Sequence, residues 1–217
     1  MKIVKNVLQV WGLVLLIQLP VLGEMDWGDL EPSKFSLLFH LLYWGVSLSL
    51  IFWGIYTLRK KALQTRHEQV STPNQKISYL KIIFLVFLAI VLEILLSNIF
   101  PREKNFSNAV KLHDIFSNYG WMTLMTLNLL SPALEELVFR GIFQEKLSHH
   151  YSKSIAIFFS TVVFAFLHTY TLDTHFFQHI ISGFLFSWLY SQTGDIKKSI
   201  FAHIAKNTLT TILHLFL

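Results

Sequence analysis

The feature that most restricts the fold of this chain is a succession of long apolar runs separated by short charged segments. A helix of roughly 20 apolar residues spans the hydrocarbon core of a bilayer. Within lipid, only helices and closed barrels leave no backbone group unsatisfied. The runs lie at residues 7–23, 35–58, 82–100, 121–139, 154–170, 176–190 and 199–217. The sequence therefore predicts an all-α fold, a polytopic membrane bundle of about seven transmembrane helices.

The composition agrees with a membrane protein. Of the 217 residues, 53% are hydrophobic and only 14% are charged, whereas soluble proteins carry about 25% charged residues. The chain has no cysteine, which excludes disulfides, thiolate metal sites and a cysteine nucleophile. Its net charge of +5 comes from basic residues between the apolar runs, so we expect no nucleic-acid partner.

The basic residues also predict an orientation. The most basic connection follows the second run and begins with three cations at residues 59–61. The positive-inside rule makes this connection cytoplasmic, which puts the amino terminus inside and the acidic connection at 24–31 outside. We expect the membrane to be the cell membrane. We expect the first run to be retained as a span, because Val-Leu before Gly23 is a poor signal-peptidase site. A cleaved signal is the alternative.

No repeat or flexible linker divides the chain. We expect residues 1–119 to form three membrane helices without motifs, and residues 120–217 to form four helices that carry the chemistry. Both parts would belong to one integrated bundle.

Two adjacent carboxylates and a guanidinium lie at the end of the fourth run, within Ser131-Pro-Ala-Leu-Glu-Glu-Leu-Val-Phe-Arg-Gly141. Ionisable residues at membrane depth usually face a bundle interior and mark a functional site. On a helix, Glu136 and Arg140 share a face in the order that favours an ion pair, and Glu135 is left to serve as a general base. Pro132 interrupts the helical hydrogen bonds, so a wet cavity could begin there. The alternative is a solvated helix end without function.

Two later runs also carry polar side chains. The fifth contains Phe164-Ala-Phe-Leu-His168, and the seventh contains His203-Ile-Ala-Lys-Asn207, in which imidazole and amide share a helical face. A lone histidine in an apolar helix is more often a hydrogen-bond partner than a catalyst. Three runs that deliver polar groups to one cavity would instead build an active site.

These segments, together with Thr193-Gly-Asp-Ile196, resemble the CAAX-protease and bacteriocin-processing family of intramembrane proteases, which includes the type II prenyl-protein endopeptidases. The family pattern is Glu-Glu-xxx-Arg, then Phe-xxx-His, then His-xxx-Asn. All three motifs are intact and in order, and the resemblance covers residues 120–215.

The resemblance implies an endopeptidase that needs no metal ion and has a site open to the cytoplasm. Its substrate would be a peptide or protein at the membrane, with or without an attached lipid. Carried over by position, the roles are water activation by Glu135, assistance by His168, oxyanion stabilisation by His203 and Asn207, and support by Glu136, Arg140 and Phe164.

Three alternatives stay open. Zinc could be bound by Glu135, His168 and His203 with Glu136 as base, although no two motif histidines share a helix as in His-Glu-x-x-His. A bacteriocin-immunity or interaction protein could keep the scaffold without catalysis. A transporter could relay protons through buried Glu and His, although two matching halves are not evident.

Polar residues outside the motifs carry weaker predictions. We expect Glu93 to pair with Lys206 or a histidine. His175 and His179, at the outer start of the sixth run, are expected to form interfacial hydrogen bonds away from the site. The boundaries also conflict, because His168 would lie about 14 residues from the inner end of its run, whereas Glu135 and His203 would lie only about five or six from theirs. The three side chains could not meet if every helix were straight and upright.

Overall fold

The computed structural model describes residues 8, 11–15, 34–64, 75–100, 124–169 and 171–216, and the structural statements below concern these residues. All regular structure in these ranges is helical and none is strand, which confirms the all-α prediction. The helices are α1 Lys34–Gln64, α2 Tyr79–Ile99, α3 Ser131–Val138, α4 Glu145–Ser148, α5 Lys153–Thr169, α6 Thr174–Thr193 and α7 Ile196–Phe216, with π-helical turns at Thr126–Leu130 and Phe139–Gln144.

Five of the predicted runs are helices whose ends lie within six residues of the expected positions. Of the first run, only residues 8 and 11–15 are described, and these are helical, so its retention as a span stays a prediction. By length and composition, Leu41–Lys60 and Tyr79–Ile99 are apolar enough to cross a membrane. The count of seven spans and the division at residue 119 stay predictions.

The predicted end of the fourth run at residue 139 is wrong. Helical backbone continues through the second π turn and α4 to Ser148. Hydropathy misses this extension because its polar side chains are buried by specific partners. The Gln144 amide donates to the Ser187 carbonyl at 2.9 Å, and Glu145 accepts from the Tyr190 hydroxyl at 2.7 Å.

The longer fourth helical path removes the conflict of depth between Glu135 and His168, whereas His203 follows the start of α7 by only seven residues. Glu135 precedes Ser148 by 13 residues, and His168 follows Lys153 by 15. Because α4 and α5 are joined by a short turn and run in opposite directions, the two side chains reach similar depth.

A tight hairpin of α5 and α6 forms one wall of the bundle. Asp173 caps α6 by accepting from the Phe176 amide at 3.0 Å, as N-cap carboxylates do. A Cβ on Gly183 would lie 3.0 Å from the Phe164 ring, so the glycine lets the two helices approach closely. Gly194 ends α6 with φ of 65° and lets the chain turn directly into α7.

The remaining helices pack around this hairpin. At one end of α2, the Gln75 amide donates to the Gln192 carbonyl at 3.3 Å. At the other, the Thr174 hydroxyl donates to the Phe100 carbonyl at 3.2 Å. Large apolar side chains cover the outer faces of α1 and α2, including Leu50, Trp53, Tyr56, Leu80, Phe84 and Phe87. Such continuous apolar exposure is typical of a surface in contact with lipid.

Candidate active site

The three motif segments meet at one cavity of about 190 Å³. Glu135 enters it from α3, His168 from the end of α5, and His203 from the middle of α7. Ser131, Phe164, His179 and Asn207 also line it. The structure thus brings together all four residues to which the resemblance gives catalytic roles.

Glu135 presents one oxygen to the two imidazoles. Its Oε1 accepts from the Ser131 hydroxyl at 2.7 Å. Its Oε2 lies 3.3 Å from His168 Nε2 and 3.8 Å from His203 Nε2. Despite these short distances, Oε2 is buried and has no well-aligned donor among the described residues. A buried carboxylate oxygen without a donor is a natural acceptor for a bound water or another polar ligand.

His168 is held in the orientation that points Nε2 at Glu135. Its Nδ1 donates to the Phe164 carbonyl at 2.7 Å, and its ring stacks on His179 with centroids 4.7 Å apart. With Nδ1–H committed, a neutral imidazole would turn a lone pair toward the carboxylate. A proton on one of the two groups is therefore required at this contact, because 3.3 Å leaves no room for a water between them.

Glu136 organises the dry side of the site. Its Oε1 accepts from Arg140 at 2.7 Å and from His203 Nδ1 at 3.0 Å, and its Oε2 accepts from the Ser199 hydroxyl. Glu136 and Arg140 are both fully buried. The ion pair expected from their spacing is therefore present, and it also fixes the tautomer of His203 so that Nε2 faces Glu135.

Arg140 joins this network to the α5–α6 hairpin. Its Nη2 donates to the Gly183 carbonyl at 2.9 Å, and its guanidinium carbon lies 4.6 Å from the centre of the Phe164 ring. Stacking of a guanidinium on an aromatic face is favourable, the more so when water is excluded. Phe164 thus contacts the buried cation with its ring and orients His168 with its carbonyl.

Asn207 is positioned by the irregular backbone before Pro132. In the π turn, the Ser131 amide bonds to the Thr126 carbonyl instead of the Leu127 carbonyl. The Leu127 oxygen is thereby left to accept from Asn207 Nδ2 at 3.1 Å. An amide nitrogen carries two hydrogens, so one remains for a ligand in the cavity. The irregularity expected at Ser131-Pro132 is present, and π turns are frequent at functional sites.

The expectation that His179 lies away from the site is wrong. His179 lines the cavity and stacks on His168. The close antiparallel packing of α5 and α6 explains this, because it brings the first turns of α6 against the end of α5. Ser131, Ser182 and Ser199 were also missed, because a serine in an apolar helix gives no pattern until its partner is known.

Glu93 pairs with Lys206, as expected. Their Oε2 and Nζ atoms are 3.2 Å apart, and Glu93 Oε1 accepts from the Ser182 hydroxyl. This pair borders a second cavity of about 470 Å³ between α2, α6 and α7. His179 and Lys206 line both cavities.

Metal ligation by the motif residues has partial geometric support. Both imidazoles turn Nε2 toward Glu135 and donate through Nδ1 to a carboxylate or carbonyl, which is also the usual second shell of zinc-binding histidines. However, no group of three His, Cys, Asp or Glu side chains in the described ranges has the arrangement of a preformed metal site. A resident zinc would be held by Glu135, His168 and His203.

Glu, His and Asn side chains thus converge on one cavity in the interior of an apolar helical bundle, as in a membrane-embedded functional site. Residues 116–209 match the family model for Type II CAAX prenyl endopeptidase Rce1-like proteins. A Bacillus subtilis (strain 168) protein named "Putative membrane peptidase YdiL" is 28% identical over 117 residues, which is 54% of this chain. The chain spans about half the length of that curated relative, 47%. No solved structure gives a significant match.

These matches confirm the family resemblance predicted from the motifs. The family match and the apolar helices together indicate a membrane protein related to membrane peptidases.

Proposed function

We propose that this protein is an intramembrane endopeptidase that hydrolyses a peptide bond near the membrane. The observation that carries the proposal is the buried Oε2 of Glu135, which lies 3.3 and 3.8 Å from the Nε2 atoms of two imidazoles. All three side chains line the same small cavity. A carboxylate in this position can take a proton from a water held against it, and the water oxygen can then add to a peptide carbonyl.

The surrounding groups suit the later steps. Negative charge that develops on the carbonyl oxygen would meet the second Asn207 hydrogen, and also His203 when its Nε2 carries a proton in addition to the Nδ1–H that is donated to Glu136. His168, within reach of Glu135 and partly exposed, would help pass the proton to the leaving amine. Glu136, Arg140 and Phe164 keep these groups in place. No step of this sequence needs a cofactor.

We also propose a location, an orientation and partners for the protein. The protein would lie in the cell membrane as a bundle of seven spans, with its amino terminus in the cytoplasm. Its partners would be the lipid bilayer and a peptide or protein substrate, with or without a lipid. CAAX-type specificity comes from the family match alone.

Glu135→Gln is the decisive variant. Purified wild-type protein should cleave members of a panel of quenched fluorescent peptides, and Glu135→Gln should reduce cleavage to background while its thermal unfolding stays normal. Asp195→Asn is the matched control, because it removes a carboxylate charge at the α6–α7 turn, outside the cavity. Full activity of Glu135→Gln would contradict the proposed role of Glu135. Absence of cleavage by the wild-type protein would instead favour a non-catalytic immunity or interaction protein.

Asn207→Ala tests the oxyanion role separately. Loss of one oxyanion donor typically reduces kcat by about 10²–10³-fold. Wild-type activity in Asn207→Ala would contradict this role, while leaving the test of Glu135 unaffected.

A chelator arm distinguishes the two chemistries. Metal-free catalysis predicts unchanged cleavage after dialysis against chelator. Loss of cleavage that zinc restores would favour the ligand set Glu135, His168 and His203 instead.

A further inference from the structure

The connections between helices define two ends of the bundle. We define the basic end as the end at which α1 finishes, α4 turns into α5 and α6 turns into α7. At the opposite end α2 finishes and α5 turns into α6. His168 lies one residue before the last residue of α5, and Lys206 and Asn207, about one turn beyond His203 on α7, line the same cavity. The site cavity therefore extends from His203 toward the opposite end.

Packed side chains close the site toward the basic end. Between Glu135 and the basic end, the helical path from α3 to α4 carries Arg140, Gln144 and Glu145, which are 0%, 2% and 5% exposed. Each is bonded across to α6, through Gly183, Ser187 or Tyr190. A peptide from the basic end would have to break this continuous buried polar network.

The second cavity extends the site toward the opposite end. It shares His179 and Lys206 with the site cavity and continues past Asn98 and His175 to Leu213. These three lie near the end of α2, the start of α6 and the end of α7. Its volume of about 470 Å³ is within the range typical of ligand pockets. A lining of alternating amide, imidazole and aliphatic groups suits an extended polypeptide, whose backbone is polar and whose side chains are mixed.

The distribution of charge indicates on which side of the membrane each end of the bundle lies. Among the described residues, the basic end carries nine cations, Arg59, Lys60, Lys61, Lys76, Lys81, Lys146, Lys153, Lys197 and Lys198. Among the same described residues, the opposite end carries Lys34 and Asp173. In the sequence, four acidic residues at 24–31 precede α1, and the connection after α2 is mixed in charge. The positive-inside rule places the basic end in the cytoplasm.

We propose that the site takes extended polypeptide segments from the extracytoplasmic side of the membrane, through the second cavity. The substrate class is then an exported protein, or the external segment of a membrane protein. This differs from the cytoplasmic opening that the family resemblance implies. The side of the opening follows from packing and charge, whereas the substrate class rests on the proposed peptidase function.

Cysteine labelling tests the side directly, because the chain contains no cysteine of its own. Leu172→Cys lies at the opposite end, where Leu172 is 73% exposed, and Ser152→Cys lies in the exposed α4–α5 turn. With a membrane-impermeant maleimide on intact cells, Leu172→Cys should label at once and Ser152→Cys only after lysis. The reverse pattern, or equal labelling of both, would overturn the proposal.

Blocking the second cavity tests the path. Ile94→Trp would fill the cavity that Ile94 lines, whereas Ile83→Trp adds the same bulk to a similarly exposed position on α2 outside it. Ile94→Trp should lower cleavage of a peptide from the panel at least tenfold, with Ile83→Trp near wild type. Equal activity would overturn this path. If wild type cleaves no peptide, the proposed function fails, and the labelling still decides the side.

Discussion

Arg140→Met tests whether the buried Glu136–Arg140 pair holds the bundle together. Methionine keeps much of the length and apolar contact of arginine, so the change removes mainly the charge and the hydrogen bonds. Glu136 is fully buried and would lose the cation at 2.7 Å. Removal of one partner of a buried pair typically costs about 3–5 kcal/mol.

The structure places the expected loss at the lower end of that range. Glu136 would keep its hydrogen bonds from Ser199 and His203, which satisfy both of its carboxylate oxygens. A loss of about 3 kcal/mol in a chain of this size corresponds to a fall in Tm of roughly 6–12 °C. Thermal unfolding in detergent, followed by the fluorescence of the six tryptophans, measures this shift.

Two further variants make the test specific to the pair. Lys153→Met removes a cation from an exposed position at the start of α5, and should change stability by no more than about 0.5 kcal/mol. The double variant Glu136→Gln/Arg140→Met removes both charges and should be more stable than Arg140→Met alone. If Arg140→Met unfolds within 2 °C of wild type (a shift below about 1 kcal/mol), and the double variant brings no gain, the pair does not carry this stability.

Two other predictions concern the α5–α6 hairpin. Gly183→Val should destabilise the protein by about 1–3 kcal/mol, because even a Cβ would lie 3.0 Å from the Phe164 ring. Gly12→Val is the control, since a Cβ on Gly12 would meet no atom within 4 Å. If thermal unfolding of Gly183→Val matched that of the control, the close packing of the hairpin would contribute nothing to stability. Asp173→Ala should cost about 0.5–2 kcal/mol through loss of the α6 cap, while Asp173→Asn should retain most of it, and hydrogen exchange at the first turn of α6 distinguishes the two. Equal exchange in both variants would show that the cap contributes nothing.

The site residues were largely identifiable from the sequence, because charges in an apolar run must be paired or functional. The spacing of Glu136 and Arg140 was enough to predict their contact, since both lie on one helix. The same local reasoning failed for the end of the fourth helix, where polar residues were taken for a connection. Their burial depends on Ser187 and Tyr190 of α6, more than 40 positions away.

His179 shows the same limit. Its distance from the site was judged from its place in a run, and only the hairpin that joins α5 to α6 put it against His168. The freed Leu127 carbonyl that receives Asn207 likewise follows from a π turn, whose register hydropathy cannot give.

By itself, the sequence determined that this chain is helical and suited to lipid, and which polar side chains belong to the candidate site, because the cost of burying charge and backbone polarity is local. Only the tertiary structure decided how those side chains face each other, which serines and histidines join them, and which end of the bundle is closed. Those features depend on contacts between helices, and the residues that make them are distant along the chain.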